Sequence, residues 1–108
     1  ERLFFIDTGV SVEPPEGFYV EVVARSSLSK TDFILANSVG IIDPDYRGRI
    51  RLALRYLGEG SGVDAVAELI GRRVAQLIPR RREEATVEVV SELGDTVRGA
   101  GGFGSSGS

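Results

Sequence analysis

Residues 49–56 read RIRLALRY, and this stretch carries the clearest structural pattern in the chain. Apolar or aromatic side chains at Ile50, Leu52, Leu54 and Tyr56 alternate with three arginines and an alanine. Because successive side chains of a β-strand point to opposite faces, this alternation predicts a half-buried strand with arginines on its solvent face. We therefore expect a fold built on β-strands.

Other segments of β type lie on both sides of this stretch. Residues 18–24 (FYVEVVA) and residues 86–90 (TVEVV) are rich in aromatic or β-branched side chains and predict two more strands. Residues 71–78 (GRRVAQLI) predict a turn that leads into a buried strand. Glycines and prolines recur between these segments, and many short strands with frequent turns are typical of a sandwich or barrel. The expected class is all-β.

Two segments differ from this pattern. Residues 63–70 (VDAVAELI) combine good helix formers with apolar residues at helical spacing, which predicts one short helix. Residues 98–108 (RGAGGFGSSGS) are rich in glycine and serine around a single Phe, a composition typical of a flexible end or a linker. A length of 108 residues suits one domain. We therefore expect a β domain at residues 1–97 and an arm at residues 98–108.

Residue types that are missing from the sequence narrow the chemistry. Without Cys or His, the chain has no thiolate nucleophile, no Ser-His pair and no imidazole ligand. A general base must then be Asp or Glu. Carboxylates without Cys or His favour hard cations such as Mg²⁺, which bind through oxygen ligands and substrate phosphates.

Charge and hydropathy exclude two classes of partner. The formal net charge is −3, so the chain as a whole has no basic nucleic-acid surface, and residues 80–82 (RRR) are the one local exception. No apolar run approaches the roughly twenty residues of a membrane span, and no charged and apolar leader precedes the first strand. We expect no nucleic-acid partner, no membrane association and a cytoplasmic location.

Two clusters carry candidate chemical groups. In residues 24–28 (ARSSL), an arginine and two hydroxyls at the end of a predicted strand suit phosphate oxygens, although such an exit is more often a solvated turn. In residues 37–48 (NSVGIIDPDYRG), an apolar run delivers Asp43 at its edge, where burial would hold the carboxylate in one rotamer. Asp43 is the candidate general base. The alternative is a turn in which Asp43 and Asp45 only cap backbone donors.

Two further features suit a phosphorylated ligand. Gln76 lies inside an apolar run, where its amide must find hydrogen-bond partners and could contact a ligand. In the tail, glycines free backbone amides for phosphates, Arg98 supplies charge and Phe103 offers a flat face for a base.

Taken in order, these four clusters resemble motifs two to five of the trimeric dUTPases, the dUTP pyrophosphatases, and the resemblance extends over nearly the whole chain. It implies a jelly-roll-like β fold and hydrolysis of dUTP to dUMP and pyrophosphate by water attack at the α-phosphorus. The first motif of that family, an Ala/Gly-rich stretch, has no counterpart in this chain. Arg72 stands where the fourth motif usually has an acid, and residues 58–71 are longer than is common.

The resemblance also implies roles for single residues. Asp43 matches the catalytic carboxylate, Asn37 the residue that contacts uracil, and Tyr46 the ring that packs under the deoxyribose and leaves no space for a 2′-hydroxyl. The other positions that match substrate-binding residues are Arg25, Ser26, Ser27, Gly40, Gln76, Arg98, Gly102, Phe103, Gly104, Ser105 and Ser106. The arm closes over the nucleotide in that family, with Phe on uracil.

The resemblance implies partners as well. Mg²⁺ would be held mainly by substrate phosphates and waters, with no direct protein ligand. The chain would act as a homotrimer with shared active sites.

Two alternatives stay open. A dCTP deaminase resembles this fold, but its catalytic Glu would fall at about Ala53, and alanine cannot transfer protons. A non-catalytic trimeric module of the same scaffold is favoured by the missing first motif. Observed turnover would separate that module from an enzyme.

Overall fold

The chain folds into short antiparallel strands with little helix in a computed structural model that describes residues 2–102. The strands are β1 (Leu3–Asp7), β2 (Phe18–Ala24), β3 (Phe33–Leu35), β4 (Gly40–Ile42), β5 (Arg51–Tyr56) and β6 (Ala75–Arg81). A 3-10 helix at Ser26–Lys30 follows β2, and helix α1 spans Val63–Ala67. The strands form two sheets of three, ordered β1-β5-β3 and β4-β2-β6. The expected all-β class is confirmed.

Strand β5 is the centre of the first sheet and shows the alternation expected from the sequence. Leu52 and Leu54 are buried, whereas Arg51 and Arg55 are exposed. The strand begins at Arg51, slightly later than expected, because the backbone N–H of Ile50 already bonds to the carbonyl of a loop residue rather than to a strand. Antiparallel pairing with β1 on one side and β3 on the other provides hydrogen-bond partners for the backbone on both edges of β5.

The core lies between the two sheets. Its buried residues are Val22, Leu28, Phe33, Leu35, Ile50, Leu52, Leu54, Leu69 and Val74. Burial of each large aliphatic side chain contributes on the order of 1.5–3 kcal/mol. Phe33 also packs against the Tyr56 ring with a centroid distance of 5.1 Å, so aromatic contacts extend the core toward the end of β5.

The predicted short helix is confirmed, although it is shorter than the pattern suggested. It ends at Ala67, and the chain continues as a turn to Gly71, whose φ of +85° a residue with a side chain rarely adopts. Leu69 in this turn is buried and Ile70 is exposed. The segment therefore covers one side of the core with a short helix followed by a turn.

Two expectations about strands were wrong. Strand β6 was expected to be buried, but it is an edge strand in which only Ala75 and Ile78 are partly covered. Pro79 has no backbone N–H and suits such an edge. Residues 86–90 form no strand: Val87 and Val89 are 92% and 95% exposed, because no strand within residues 2–102 lies beside them to complete their hydrogen bonds.

The two sheets end with Arg81, and residues 82–100 are exposed throughout. The division between a domain and an arm at residues 97 and 98 stays a prediction. Within the described part of the chain, no helix is long and apolar enough to cross a membrane.

Candidate functional site

The end of β2 carries the first cluster of predicted site residues. Arg25 follows β2 directly, and its backbone N–H donates to the carbonyl of Val74 at 2.9 Å. The hydroxyl of Ser27 donates to the carbonyl of Arg73 at 3.0 Å. These two bonds tie the exit of β2 to the segment that enters β6, and the exposed Ser26 lies between their donors.

Gln76 lies at the same end of the second sheet. It pairs with Val23 across the antiparallel β2–β6 register, and Arg25 and Gln76 line one cavity of about 250 Å³. Arg25 is exposed and forms no ion pair with any residue from 2 to 102. The structure therefore brings together the arginine and the amide that the sequence analysis treated as separate phosphate-binding candidates.

A second cluster forms around the turn after β4. The backbone N–H of Tyr46 donates to the carbonyl of Asp43 at 3.1 Å, which closes the turn. The Tyr46 hydroxyl donates to the carbonyl of Arg49 at 2.8 Å, which fixes the ring over Gly48. A Cβ atom on Gly48 would lie 2.6 Å from Cζ of Tyr46, so this ring position requires glycine. Asp43, Tyr46 and Arg49 line a cavity of about 280 Å³.

The expectation that burial holds Asp43 in place was wrong for the single chain. Asp43 is exposed, and within the described residues its carboxylate makes no hydrogen bond or ion pair. Residues 43–46 do form a turn, as the alternative interpretation expected. However, no described backbone N–H bonds to the carboxylate of Asp43 or Asp45, so neither side chain caps the turn. Asp43 is therefore open to water and ligands from this chain's side.

Asn37 and Gly40 shape the tight connection between β3 and β4. Asn37 is exposed, and the next residue, Ser38, has a φ of +63°. Gly40 is buried against β2, where an added Cβ would lie 3.2 Å from Cβ of Val22. A residue without a side chain at position 40 thus allows β4 to approach β2 closely.

The two clusters lie at opposite ends of the second sheet. Val20 pairs with Ile42, which places Asp43 beside Tyr19 at the start of β2, whereas Arg25 follows its end. Positions 19 and 25 are six residue steps apart, which is roughly 20 Å at about 3.3 Å per residue. One copy of the chain therefore places the backbone of Arg25 far from that of Asp43.

The predicted arm is only partly within the described residues. Arg98 is exposed, and its guanidinium donates to the carbonyl of Gly101. Gly102 adopts a φ of +146°. The predicted ligand contacts of Phe103, Gly104, Ser105 and Ser106 lie outside the described residues.

Sequence reasoning missed a polar network on the outer face of the second sheet. The Tyr19 hydroxyl donates to Oε2 of Glu21 at 2.7 Å, and Nε of Arg80 donates to Oε1 at 3.1 Å. The hydrogen bond from Tyr19 holds the pKa of Glu21 below its usual value, and the same bond raises the pKa of Tyr19. Alternation places Tyr19 and Glu21 on one face, but Arg80 is 59 residues from Glu21 and joins only through the β2–β6 register.

Tyr19 also contributes to a third cavity, which has a volume of about 310 Å³. This cavity is lined by Tyr19, Ile41, Ile42, Asp43, Pro44 and Arg82. Asp43 therefore stands between two cavities, one that contains Tyr46 and one that contains Arg82.

The donor chemistry limits how a metal could be held. Among residues 2–102, no group of three or more carboxylates lies together in a way that could hold a metal ion. The exposed Asp43 carboxylate offers hard oxygen atoms of the kind that Mg²⁺ prefers. These residues fit a cation that takes most of its ligands from phosphates and water.

The fold and the site define a class: a small β protein with two antiparallel sheets, a turn with an exposed carboxylate and an aromatic ring, and exposed arginine and serine side chains after β2. Comparison with protein families matches residues 3–107 to dUTPase. The chain belongs to the dUTPase family.

Individual relatives agree with this assignment. The deoxyuridine 5'-triphosphate nucleotidohydrolase of Escherichia phage T5 is 44% identical over 108 residues, which cover 99% of this chain and 70% of the relative. The enzyme of the same name from Chlamydia trachomatis serovar L2 is 44% identical over 104 residues, 94% of this chain and 69% of the relative.

A solved structure shows the same fold. The G164S mutant of the Staphylococcus bacteriophage 80alpha dUTPase with dUpNHpp aligns with a TM-score of 0.72 at 20% identity. The alignment covers 98% of this chain and 81% of the phage protein. The expected jelly-roll-like fold of the dUTPase type is confirmed.

Proposed function

We propose that the chain hydrolyses dUTP to dUMP and pyrophosphate through attack of water on the α-phosphorus. Membership of the dUTPase family and two relatives named for this reaction support the proposal. The observation that carries it is the turn after β4, where the unpaired carboxylate of Asp43 shares a cavity with the fixed ring of Tyr46. This pairing puts a base beside a surface that suits a nucleoside.

Asp43 is the general base in this proposal. A carboxylate that makes no hydrogen bond within the described chain is available to orient a water and to accept its proton as the water attacks. The proton moves to Asp43, a new oxygen–phosphorus bond forms at the α-phosphorus, and pyrophosphate leaves with the electrons of the bond that breaks. Closure of the site by a second copy would supply the partial burial that one chain lacks.

Tyr46 and Asn37 would select the nucleoside. The Tyr46 ring is held by the bond to Arg49 and by its contact with Gly48, so it offers a rigid surface for a deoxyribose and leaves no space for a 2′-hydroxyl. Asn37 has an exposed amide that can pair with the edge of uracil, and the backbone at Gly40 belongs to the same connection between β3 and β4. Discrimination by a fixed polar group and by shape is the usual source of such specificity.

The phosphate-binding residues would come from a second copy of the chain. Arg25, Ser26, Ser27 and Gln76 form one donor cluster, and the length of β2 separates it from Asp43 by roughly 20 Å. This separation supports a site that is shared between copies. We propose the homotrimer of the family, whose closed symmetry repeats such a shared site three times.

The arm would complete the site from a neighbouring copy. Val87, Val89 and Leu93 are almost fully exposed on the segment that leads to the arm, and a second copy would bury them. The residues that would then cover the nucleotide are Arg98, Gly102, Phe103, Gly104, Ser105 and Ser106.

Mg²⁺ is part of the same proposal. It would neutralise charge on the triphosphate, with ligands mainly from phosphate oxygens and waters. Asp43 is the carboxylate of this chain that would lie near it.

The test is pyrophosphate release from dUTP, with dCTP, dTTP and UTP in parallel, with Mg²⁺ or a chelator, at a known oligomeric state. Hydrolysis that requires Mg²⁺ and prefers dUTP supports the proposal. Binding of dUTP without turnover would instead identify a non-catalytic module of this scaffold. Release of ammonia from dCTP would identify a deaminase, although position 53 is an alanine where that enzyme would have its catalytic glutamate.

A further inference from the structure

The three consecutive arginines at the end of β6 have three different environments. Arg80 donates to Glu21, and Arg81 lies over the Phe18 ring, with 5.1 Å from Cζ to the ring centroid. The guanidinium of Arg82 has neither an ion pair nor an aromatic partner among residues 2–102. Two of the three charges therefore have structural partners, and the third is available to a ligand.

The backbone places Arg82 beside the candidate base. The N–H of Arg82 donates to the carbonyl of Gly17 at 2.7 Å, which fixes the residue next to the start of β2. Asp43 and Arg82 line the same cavity of about 310 Å³, yet they form no ion pair with each other. The space between them can thus admit an anionic group that contacts both.

A hydrogen-bond network holds Tyr19, one of the residues that line this cavity. Tyr19 lies between the strands that carry Asp43 and Arg82, and its hydroxyl donates to Glu21. Arg80 binds the other oxygen of the same carboxylate. Because both oxygens of Glu21 already accept hydrogen bonds, this carboxylate does not compete with a ligand for Arg82.

The other arginines near Asp43 are less available. Arg49 and Arg51 line the other cavity to which Asp43 contributes. Arg49 pairs with Asp7 at 3.2 Å, and Arg51 lies over the Phe5 ring at 5.3 Å. Arg82 is therefore the cation next to Asp43 that no described residue engages.

We propose that Arg82 is a further phosphate-binding residue, which holds a phosphate oxygen of the nucleotide beside Asp43 within one copy of the chain. This inference rests on the proposed function and adds a residue outside the family's matched motifs. A carboxylate base and a phosphate repel each other, and an arginine fork next to both offsets that repulsion. Arg82 would thus supply positive charge at the reacting phosphate that does not depend on a neighbouring copy.

The experiment compares Arg82→Ala with Arg81→Ala, which removes the same charge one residue away beside Phe18. Kinetics with dUTP and competitive inhibition by pyrophosphate and by deoxyuridine are measured for both variants and the parent chain. We expect Arg82→Ala to lower kcat/KM for dUTP and to weaken pyrophosphate about 10-fold or more, as loss of a charge-assisted hydrogen bond does. Inhibition by deoxyuridine, which has no phosphate, should stay within about twofold.

The outcomes separate this inference from the proposed function. If the parent chain hydrolyses dUTP and Arg82→Ala matches Arg81→Ala for both dUTP and pyrophosphate, the inference is overturned and the function stands. If Arg82→Ala weakens deoxyuridine as much as pyrophosphate, the residue has a structural role and the inference is also overturned. If the parent chain does not hydrolyse dUTP, the proposed function fails, and direct titration with pyrophosphate decides the role of Arg82: equal affinity of the two variants overturns it.

Discussion

The hydroxyl of Tyr19 donates a 2.7 Å hydrogen bond to Glu21, two residues further along the same strand. This bond is the largest cause of the lowered pKa of Glu21, and the bond from Arg80 adds to it. A carboxylate whose pKa is lowered by folding stabilises the protein above its unfolded pKa, and the contribution is lost as the pH falls through the folded pKa. The network should therefore weaken in acid below the ordinary glutamate value near 4.5.

The corresponding prediction concerns Glu21→Gln. Between neutral pH and about pH 3, the parent chain should lose more of its free energy of unfolding than this variant, because the variant has no charge to lose at position 21. Urea unfolding at the two pH values measures the difference. Glu16→Gln, at an exposed position without an ion pair among residues 2–102, is the control and should follow the parent chain. An equal loss in Glu21→Gln and the parent would contradict the prediction.

The pattern of apolar and polar residues within a single segment was enough to predict two strands and the short helix. The alternation along β5 and the β-branched run of β2 both correspond to strands, and helix α1 begins at Val63 as its pattern indicated. Residues 86–90 have the same β character but no strand beside them. Strand formation needs a partner, and one segment does not show whether the fold supplies one.

The candidate site shows the same limit. The turn that carries Asp43 and Tyr46 follows from a short run of sequence, and its residue types were recognisable there. The exposure of Asp43 depends on what covers the turn, and the position of Arg82 depends on the pairing of β2 with β6. Such contacts between distant residues are set by sheet register, which no single motif contains.

Asp43→Asn tests the general base. The substitution keeps the size of the side chain and removes its ability to take a proton, so hydrolysis of dUTP should fall by at least 10²-fold, the lower end of what a general base contributes. Binding of dUTP should persist, because Asp43 is exposed and its loss leaves the fold intact. Single-turnover kinetics and calorimetry measure the two effects. Asp45→Asn in the same turn is the matched control, and activity of Asp43→Asn equal to that control would refute the assignment.

Gly48→Ala tests the position of the Tyr46 ring. A Cβ at position 48 would lie 2.6 Å from Cζ of Tyr46, so the ring must move away from its hydrogen bond with Arg49. We expect KM for dUTP to rise several-fold and the preference for dUTP over UTP to shrink, because the ring would no longer exclude a 2′-hydroxyl. Gly94→Ala is the control, since a Cβ there meets no atom within 4 Å. An unchanged preference for dUTP over UTP in Gly48→Ala would show that the Tyr46 ring does not distinguish deoxyribose from ribose.

Mixed oligomers test whether the site is shared between copies. The backbone at Arg25 and at Asp43 lies roughly 20 Å apart on one chain, at opposite ends of β2, and the proposed site takes the two residues from different copies. Arg25→Ala and Asp43→Asn should each be nearly inactive when prepared alone. After unfolding together at equal concentration and refolding, roughly one quarter of the sites would pair an intact Arg25 with an intact Asp43, if copies combine at random.

The activity of the mixture should then approach one quarter of the activity of the parent chain, although each variant alone is nearly inactive. Mixing without unfolding is the control for contamination and should restore nothing before subunits exchange. The expected recovery follows from the proposed shared site, because rotation of one side chain does not span the length of β2. Failure of the refolded mixture to regain activity, with its oligomeric state intact, would mean that both residues serve one site from the same chain. Full activity of Arg25→Ala alone would instead show that Arg25 is not needed.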